Sequence, residues 1–260
     1  MLTGGEERLA QVIDNLGSDG FAPALSEWLF ALMAADNITV VAYFDGRAPR
    51  GIYKFAYNAH VYRNFDKIYV AGAYLLDPFH DLHVTRASRG VYRLSDVAPD
   101  QFHRNPYYLD YYAQTTLLDE LAFVGYPSDG ISLHVCVGRD ARSNRRFSAR
   151  QVGLARQVAP VVIALIERQW AELAGQGAYS GDGVVARLIE ALETAHDVRL
   201  SKRQAEVALL ILRGHSSVSI GLRLGISPQT VKVFRKQLYR KCRISSQAEL
   251  FNLLLPLLGG

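Results

Sequence analysis

Residues 226–241, Ile-Ser-Pro-Gln-Thr-Val-Lys-Val-Phe-Arg-Lys-Gln-Leu-Tyr-Arg-Lys, constrain this chain more than any other stretch. They read as one helix with a defined start. Ser227 is a preferred N-cap, whose hydroxyl accepts from a free backbone N–H. Pro228 takes the first helical position, where its missing N–H costs nothing. Ile226 before the cap and Val231 after it are spaced for a hydrophobic staple. At about 100° per residue, Val231, Phe234, Leu238 and Cys242 share one face. Gln229, Lys232, Lys236 and Arg240 share the other, with Arg235 and Tyr239 between. A helix apolar behind and basic in front rests on a domain while touching something anionic.

The flanking residues fit that use. Ser216 to Arg223 reads as a short helix, and Gly225 supplies the turn into the basic helix. Two short helices joined by a tight Gly-containing turn make a helix-turn-helix, whose second helix enters the DNA major groove. Upstream, Ser201-x-x-Gln204 is a capping box ahead of Val207, Leu210 and Ile211, with Gly214 as the stop. Downstream, Ser246-x-x-Glu249 opens a further helix through Leu254. Four short helices therefore fill about 55 residues, at the usual few turns each.

Over about residues 198–256 this pattern resembles the C-terminal DNA-binding domain of LuxR-type transcription regulators. The matching residues are Leu200-Ser201, Arg203, Glu206-Val207, Gly214, Ser216, Ile220, Leu224, Ile226-Ser227-Pro228, Thr230-Val231-Lys232 and Tyr239-Arg240-Lys241. Gln204 stands where the family usually has Glu, Val218-Ser219 where it has Lys-Glu, and Phe234 where it has His. The resemblance implies Thr230 and Lys232 at DNA phosphates and variable residues of the basic helix at base edges. Ser227, Gln229, Thr230, Lys232, Arg235, Lys236, Arg240 and Lys241 are the candidate DNA contacts. Gln229, Lys232, Arg235 and Lys236 are the candidate base readers, since Arg or Lys suits guanine and Gln suits adenine.

Charge supports the same partner. Residues 199–260 carry 11 Lys/Arg against 2 Asp/Glu, a net +9, whereas residues 1–198 carry 18 against 23, a net −5. A small domain so basic beside an acidic one has the electrostatic footprint of double-stranded DNA binding.

At 260 residues two domains are expected. We divide the chain into a ligand-sensing α+β domain at 1–173, a linker and connecting helix at 174–197, and the helix-turn-helix domain at 198–260. Hydrophobic content of 49% and charged content of 21% are those of a globular protein. No run approaches the roughly 18 apolar residues of a membrane span, and the acidic start lacks a signal-peptide pattern. Cys136 and Cys242 fall in different domains and form no CxxC, so a reducing cytoplasm is the expected location.

In the first domain, 6–16 and 23–35 read as amphipathic helices. Residues 38–44 read as a strand that ends at Asp45-Gly46, with 51–57 as its hairpin partner. Residues 58–73 read as helical, a short helix follows Pro78, and 90–94 reads as a short strand. Pro106 opens a helical turn. Residues 117–126 and 131–138 are two more strands around Pro127-Ser128-Asp129-Gly130, and Ser148 caps a helix running to about 173. Gly175 to Gly183 is a flexible linker by composition. An antiparallel sheet flanked by helices is the expected α+β fold. It is similar to the GAF/PAS-like ligand domains of LuxR-type regulators, with an all-α four-helix domain following. In the autoinducer-binding members an Asp-Pro pair in this neighbourhood supplies the carboxylate that holds the ligand amide, and Asp77-Pro78 matches it. The Trp usual shortly downstream is replaced by Tyr92-Arg93-Leu94, so a small effector other than a standard acyl-homoserine lactone is expected.

Eleven of the 14 tyrosines fall between Tyr53 and Tyr126. Tyrosine, with an apolar ring and a polar tip, suits a pocket for a partly polar ligand or the core of a sheet. Tyr53, Phe55, Tyr62, Tyr69, Asp77, Tyr92, Tyr108, Glu120 and Phe123 are the candidate pocket residues. A buried Asp or Glu needs a donor, which a ligand N–H or amine supplies. Asp77, His80, His83 and His103 match no established metal spacing, so neither metal nor cofactor is expected. Arg139, Arg142, Arg145, Arg146 and Arg150 read as a solvated basic loop or an auxiliary anion contact. Val152, Ala155, Val158 or Ala159, Val162 and Ile166 suit either core packing or a homodimer face, and the last helix is a second dimer candidate. RNA polymerase is a possible further partner, and no membrane partner is expected. No G-x-S-x-G, P-loop, G-x-G-x-x-G or HExxH motif is present, so no enzyme is expected. The alternatives are a response regulator or a regulator whose first domain only dimerises.

Overall fold

The computed structural model describes residues 4–45, 47–104, 107–175 and 183–258. Two helices, α1 (Gly4–Asp14) and α2 (Phe21–Met33), precede the hairpin of β1 (Asn37–Phe44) and β2 (Arg47–Ala56). A connecting region carries α3 (Pro78–Val84), β3 (Gly90–Arg93) and the single turn α4 (Leu94–Val97). Strands β4 (Leu117–Ser128) and β5 (Ile131–Asp140) follow, then the long helix α5 (Ala149–Gln169). The five strands form one antiparallel sheet in the order β2-β1-β5-β4-β3. This is the expected α+β architecture. Ser148 caps α5 in a full capping box with Gln151.

Side chains alternate across a strand, so the two sheet faces build two cores. Ile38, Val40, Ala42, Phe123, Val135 and Val137 pack against α2 and α5. Val41, Tyr43, Ala122, Val124 and Cys136 point the other way, toward the aromatic connecting segments. All eight residues of β1 are buried because both faces are covered.

Residues 58–73, expected to be helical, form turns and one π-helical turn, Phe65–Val70, instead. The Asn64 carbonyl accepts from both Ile68 N (3.0 Å) and Tyr69 N (3.3 Å). That widened turn places Phe65 and Tyr69 together, both buried, on the sheet. A second π-helical turn spans Tyr107–Tyr111. Gly46, Pro106 and most of the Gly175–Gly183 linker lie outside the described residues.

The C-terminal elements are α6 (Gly183–His196), α7 (Lys202–Leu212), α8 (Ser217–Leu224), α9 (Pro228–Cys242) and α10 (Gln247–Leu258). The capping box expected at Ser201 and Gln204 opens α7. Gly225 ends α8 with φ of 64°, a left-handed conformation that glycine adopts without strain. A Cβ on Gly221 would meet the Ile226 carbonyl at 2.7 Å, so glycine there lets α8 approach the turn into α9.

Candidate DNA interface and candidate effector pocket

Helix α9 starts as its sequence requires. Ser227 Oγ accepts from Thr230 N at 3.0 Å and shares a hydrogen bond with Thr230 Oγ1 at 2.7 Å. Val231 and Leu238 are buried. Gln229, Lys232, Lys236 and Arg240 are exposed, leaving one basic face open. Arg235 is half-buried, donates from Nε to the Tyr239 hydroxyl at 3.2 Å, and lies over that ring. Lys241 is turned inward: its Nζ donates to Arg199 O at 2.7 Å and Gln204 Oε1 at 3.0 Å, tying α9 to α7. Val233 is 47% exposed. It lies on the open stripe, four residues after Gln229 and three before Lys236. Its apolar side chain carries no basic or amide signal in the sequence.

On the sheet face away from α2 and α5 lies a pocket. Thr39, Val41 and Tyr43 of β1, Cys136 of β5 and Glu120 of β4 form its floor, and Tyr62, Phe65, Tyr69, Asp77, Tyr107, Tyr111 and Tyr112 close over it. Only about 40 Å³ remains open. The Tyr43 and Tyr69 hydroxyls share a short hydrogen bond, and Tyr69 donates to Asp77 Oδ2 at 2.5 Å. Asp77 Oδ1 accepts from Phe79 N at 2.8 Å, so this carboxylate also caps α3.

Of the nine expected pocket residues, the structure brings Tyr62, Tyr69, Asp77 and Glu120 together. The register places the others elsewhere. Directly paired residues of antiparallel strands share a face. Tyr53 is opposite Val40 and Phe55 opposite Ile38, so both face the helix side. Phe55 there packs against Phe30 and Tyr57. Phe123 pairs with Val135 in the α5 core. Tyr92 donates its hydroxyl to Ser88 O at 2.7 Å, and Tyr108 lines a small neighbouring cavity with Phe102 and His103. Tyr43, Tyr107, Tyr111 and Tyr112 were not singled out. The alternation Thr39-Val41-Tyr43 and the four-residue spacings 107/111 and 108/112 carried the signal, but not the direction of each face.

Burial governs the pocket's electrostatics. It pushes Asp77 up to about 6, with the Tyr69 and Phe79 hydrogen bonds pulling back. It pushes Glu120 up to about 8, reinforced by Asp77 and opposed by Tyr112. Adjacent Asp119 points through the other face, accepting from Arg93 at 2.5 Å and Phe147 N at 2.9 Å. Glu120 thus folds protonated at neutral pH. A raised acid pKa gives stability that is present below the unfolded value and lost as pH rises toward the folded one. Glu120→Gln is therefore expected to stabilise the chain against urea. Its advantage over the unsubstituted chain should grow by about 1.4 kcal/mol per pH unit between pH 5 and 8. A difference independent of pH would refute a buried, proton-holding Glu120.

The structure does not bring His80 and His83 together with His103. They pack with His134 around Tyr43, at ring distances of 5.4, 5.9 and 4.6 Å. Burial lowers the pKa of all three imidazoles, His83 to about 4. His103 stacks edge-on against Tyr108. Within the arginine run, Arg139 is buried and donates to Ala34 O, and Arg142 lies 3.9 Å over the Tyr57 ring.

Helix α3 also reaches the C-terminal helices. Asp81, one turn after Asp77, pairs with Arg213 Nη1 and with Arg223 Nη1, each at 2.9 Å. Arg213 Nε donates to Leu75 O at 2.9 Å. Asp100 Oδ1 accepts from Ser216 N, the cap of α8, at 3.0 Å, and Gln101 N donates to Gly214 O at 3.1 Å. The loop after α7 and both ends of α8 are thus held by acidic or backbone groups of the first domain.

The chain resembles known proteins in sequence and in fold. Residues 198–254 match the family model of bacterial regulatory proteins of the luxR family. The chain is 33% identical over 186 residues to a putative HTH-type transcriptional regulator of Aeromonas salmonicida, covering 69% of this chain and 93% of that protein. The VqsR LBD domain of Pseudomonas aeruginosa superposes with a TM-score of 0.55 at 24% identity, covering 64% of this chain and 97% of that one. That likeness is one of fold. Escherichia coli SdiA aligns over 98% of both chains with a TM-score of 0.42 at 15% identity. The chain belongs to the luxR family of bacterial transcription regulators, with a DNA-binding helix-turn-helix domain following an antiparallel α+β domain.

Proposed function

We propose that this regulator is a homodimer that reads DNA with α9 and is controlled by a small effector in the tyrosine-lined pocket. The observation that carries this reading is α3. Its N-cap is the pocket carboxylate Asp77, and one turn later it delivers Asp81 to Arg213 and Arg223 of the DNA-binding part. In a helix-turn-helix the first helix crosses the DNA backbone while the second enters the groove. Here Asp81 holds Arg223 of that first helix, and Asp100 holds the N–H of its cap, Ser216. An effector that seats in a pocket open to only about 40 Å³ must displace its walls, α3 among them. It then shifts the population between a held and a DNA-competent arrangement by its differential affinity for the two.

At the DNA, Lys232, Lys236 and Arg240 neutralise phosphates or reach guanine, Gln229 suits adenine, and Val233 suits a thymine methyl. Ser227 contributes through its cap and Lys241 by bracing α9 against α7. The dimer reading rests on α5. Its sheet-facing residues Val152, Ala155, Ala159, Val162 and Ile166 are core. Leu154, Val158, Val161 and Leu165, at alternating four- and three-residue spacing, stay only partly covered or exposed. A second copy covers that stripe in the coiled-coil manner.

Selection of duplexes from a random-sequence pool by the full chain tests the reading. Enriched sites are expected to be symmetric, with half-sites about one helical turn apart. Enrichment of a single asymmetric site would overturn the dimer, and no enrichment of any duplex, with or without candidate effectors, would overturn α9 as a sequence reader.

A further inference from the structure

The pocket's chemistry narrows the effector beyond the reading above, on which this inference rests. Two carboxyl groups, Asp77 and Glu120, face one small cavity. Among the described lining residues there is no Arg, Lys or His. The remaining polar groups are tyrosine and threonine hydroxyls and the Cys136 thiol, which burial and the two acids push up. Lys54 is not a lining residue; it is paired with Asp66 at 2.7 Å and lies over the Phe65 ring. Asp119 has its own partner in Arg93 across the sheet.

An anionic ligand would add a third acid to a site with no compensating cation. Like charges in a buried space repel and lose their hydration together. A neutral ligand rich in acceptors would find the Glu120 proton, the Cys136 thiol and hydroxyls, two of which are already chained into Asp77. A cation finds what the site lacks. It finds carboxyl oxygens of two acids, and it finds a wall of stacked rings. Phe65 and Tyr69 stack at 5.0 Å, Tyr69 and Tyr111 at 5.7 Å, and Tyr107 and Tyr111 lie 5.6 Å apart. An ammonium that enters between these rings gains the attraction of the ring quadrupole. Burial raises both acids, Glu120 further than Asp77, and a cation paired with them would pull both back down.

We infer that the effector is a small organic ammonium ion, an amine with a compact aromatic or short aliphatic body, held between Asp77 and Glu120 inside the tyrosine cage. The ammonium donates to the two carboxylates, and the apolar body lies against Val41, Val61 and Phe79. On binding, Glu120 gives up its proton to solvent, and the ion pair replaces it.

The test uses the full chain and two matched sets of probes, with binding read by calorimetry. One set is 2-phenylethylamine, 2-phenylethanol and phenylacetate; the other is 1,4-diaminobutane, 1,4-butanediol and succinate. The expected result is that at least one amine binds tenfold or more tighter than its alcohol, and that its carboxylate gives no signal. Glu120→Gln, expected to keep the fold, should weaken the amine by tenfold or more and remove its advantage over the alcohol. Equal or tighter binding of an alcohol or carboxylate, lost on Tyr111→Ala, would overturn the amine while leaving the pocket as the effector site. Amine binding untouched by Glu120→Gln and Tyr111→Ala would overturn both. No binding by either amine overturns the amine assignment.

Discussion

Replacing Lys232, Lys236 and Arg240 together by alanine is expected to abolish useful DNA affinity while leaving the fold intact. All three are exposed on the face of α9 opposite Val231 and Leu238, so truncation opens no cavity. Each phosphate contact to duplex DNA contributes about 0.9 to the slope of log affinity against log salt. Losing three should flatten the slope by about 2.7 and weaken binding about 100-fold at 0.15 M salt. Fluorescence anisotropy on a selected duplex and on a scrambled one, across a salt series, measures both. Both duplexes should lose the phosphate share of these contacts, and the selected one should lose more wherever Lys232 or Lys236 reads a base. Gln229→Ala should instead cost about 1–3 kcal/mol on the selected duplex alone. Unchanged binding in the triple variant would sink the assignment of α9 to the groove.

Asp81→Ala is expected to have the second largest effect, in the opposite direction. Asp81 holds two guanidiniums, and Arg213 is buried enough that desolvation lowers its pKa. Removing the carboxylate leaves a buried charge short of its partner, which costs roughly 3–5 kcal/mol. The held arrangement can shed that cost by releasing α8, exposing Arg213 and Arg223. DNA affinity without effector should rise tenfold or more, up to the limit set by how strongly the native chain favours the held state. Asp81 itself is outside α9, so the gain cannot come from a new DNA contact there. Lower or unchanged affinity would mean that the contact assembles the DNA-competent form. Addition of Asp100→Ala, which frees Ser216 N, should add to the gain only if the two contacts act on the same equilibrium.

How far each part could be read depended on whether its determinants were local. The α9 start rests on Ser227 and Pro228, the α7 start on Ser201 and Gln204, the α5 start on Ser148 and Gln151. All are decided within four residues, and all formed as expected. The strands at 38–44, 117–126 and 131–138 were legible from β-branched and aromatic runs, and their ends moved by only a few residues. The segment 58–73 was not legible, because its π-helical turn answers to where Phe65 and Tyr69 pack, which no local pattern encodes. The same limit explains the pocket. Asp77 was found from its Asp-Pro context and Glu120 from being an acid within a strand. Tyr53 and Tyr43 both read as tyrosines in strands. Only their pairing, Tyr53 against Val40 and Tyr43 against Ser132, shows that they face opposite ways.

By itself the sequence determined the helix-turn-helix, its caps and turn, its +9 charge, the basic face of α9 and the family to which the chain belongs. These follow from short-range backbone chemistry and from charge counting, which need no knowledge of what lies across the fold. The tertiary structure alone decided which tyrosines close the pocket, that Glu120 and Asp77 share it with no cation among the described lining residues, and that Asp81 reaches Arg213, 132 residues away in the chain. Those depend on strand register and on packing between distant segments, where a shift of one residue turns every side chain to the other face.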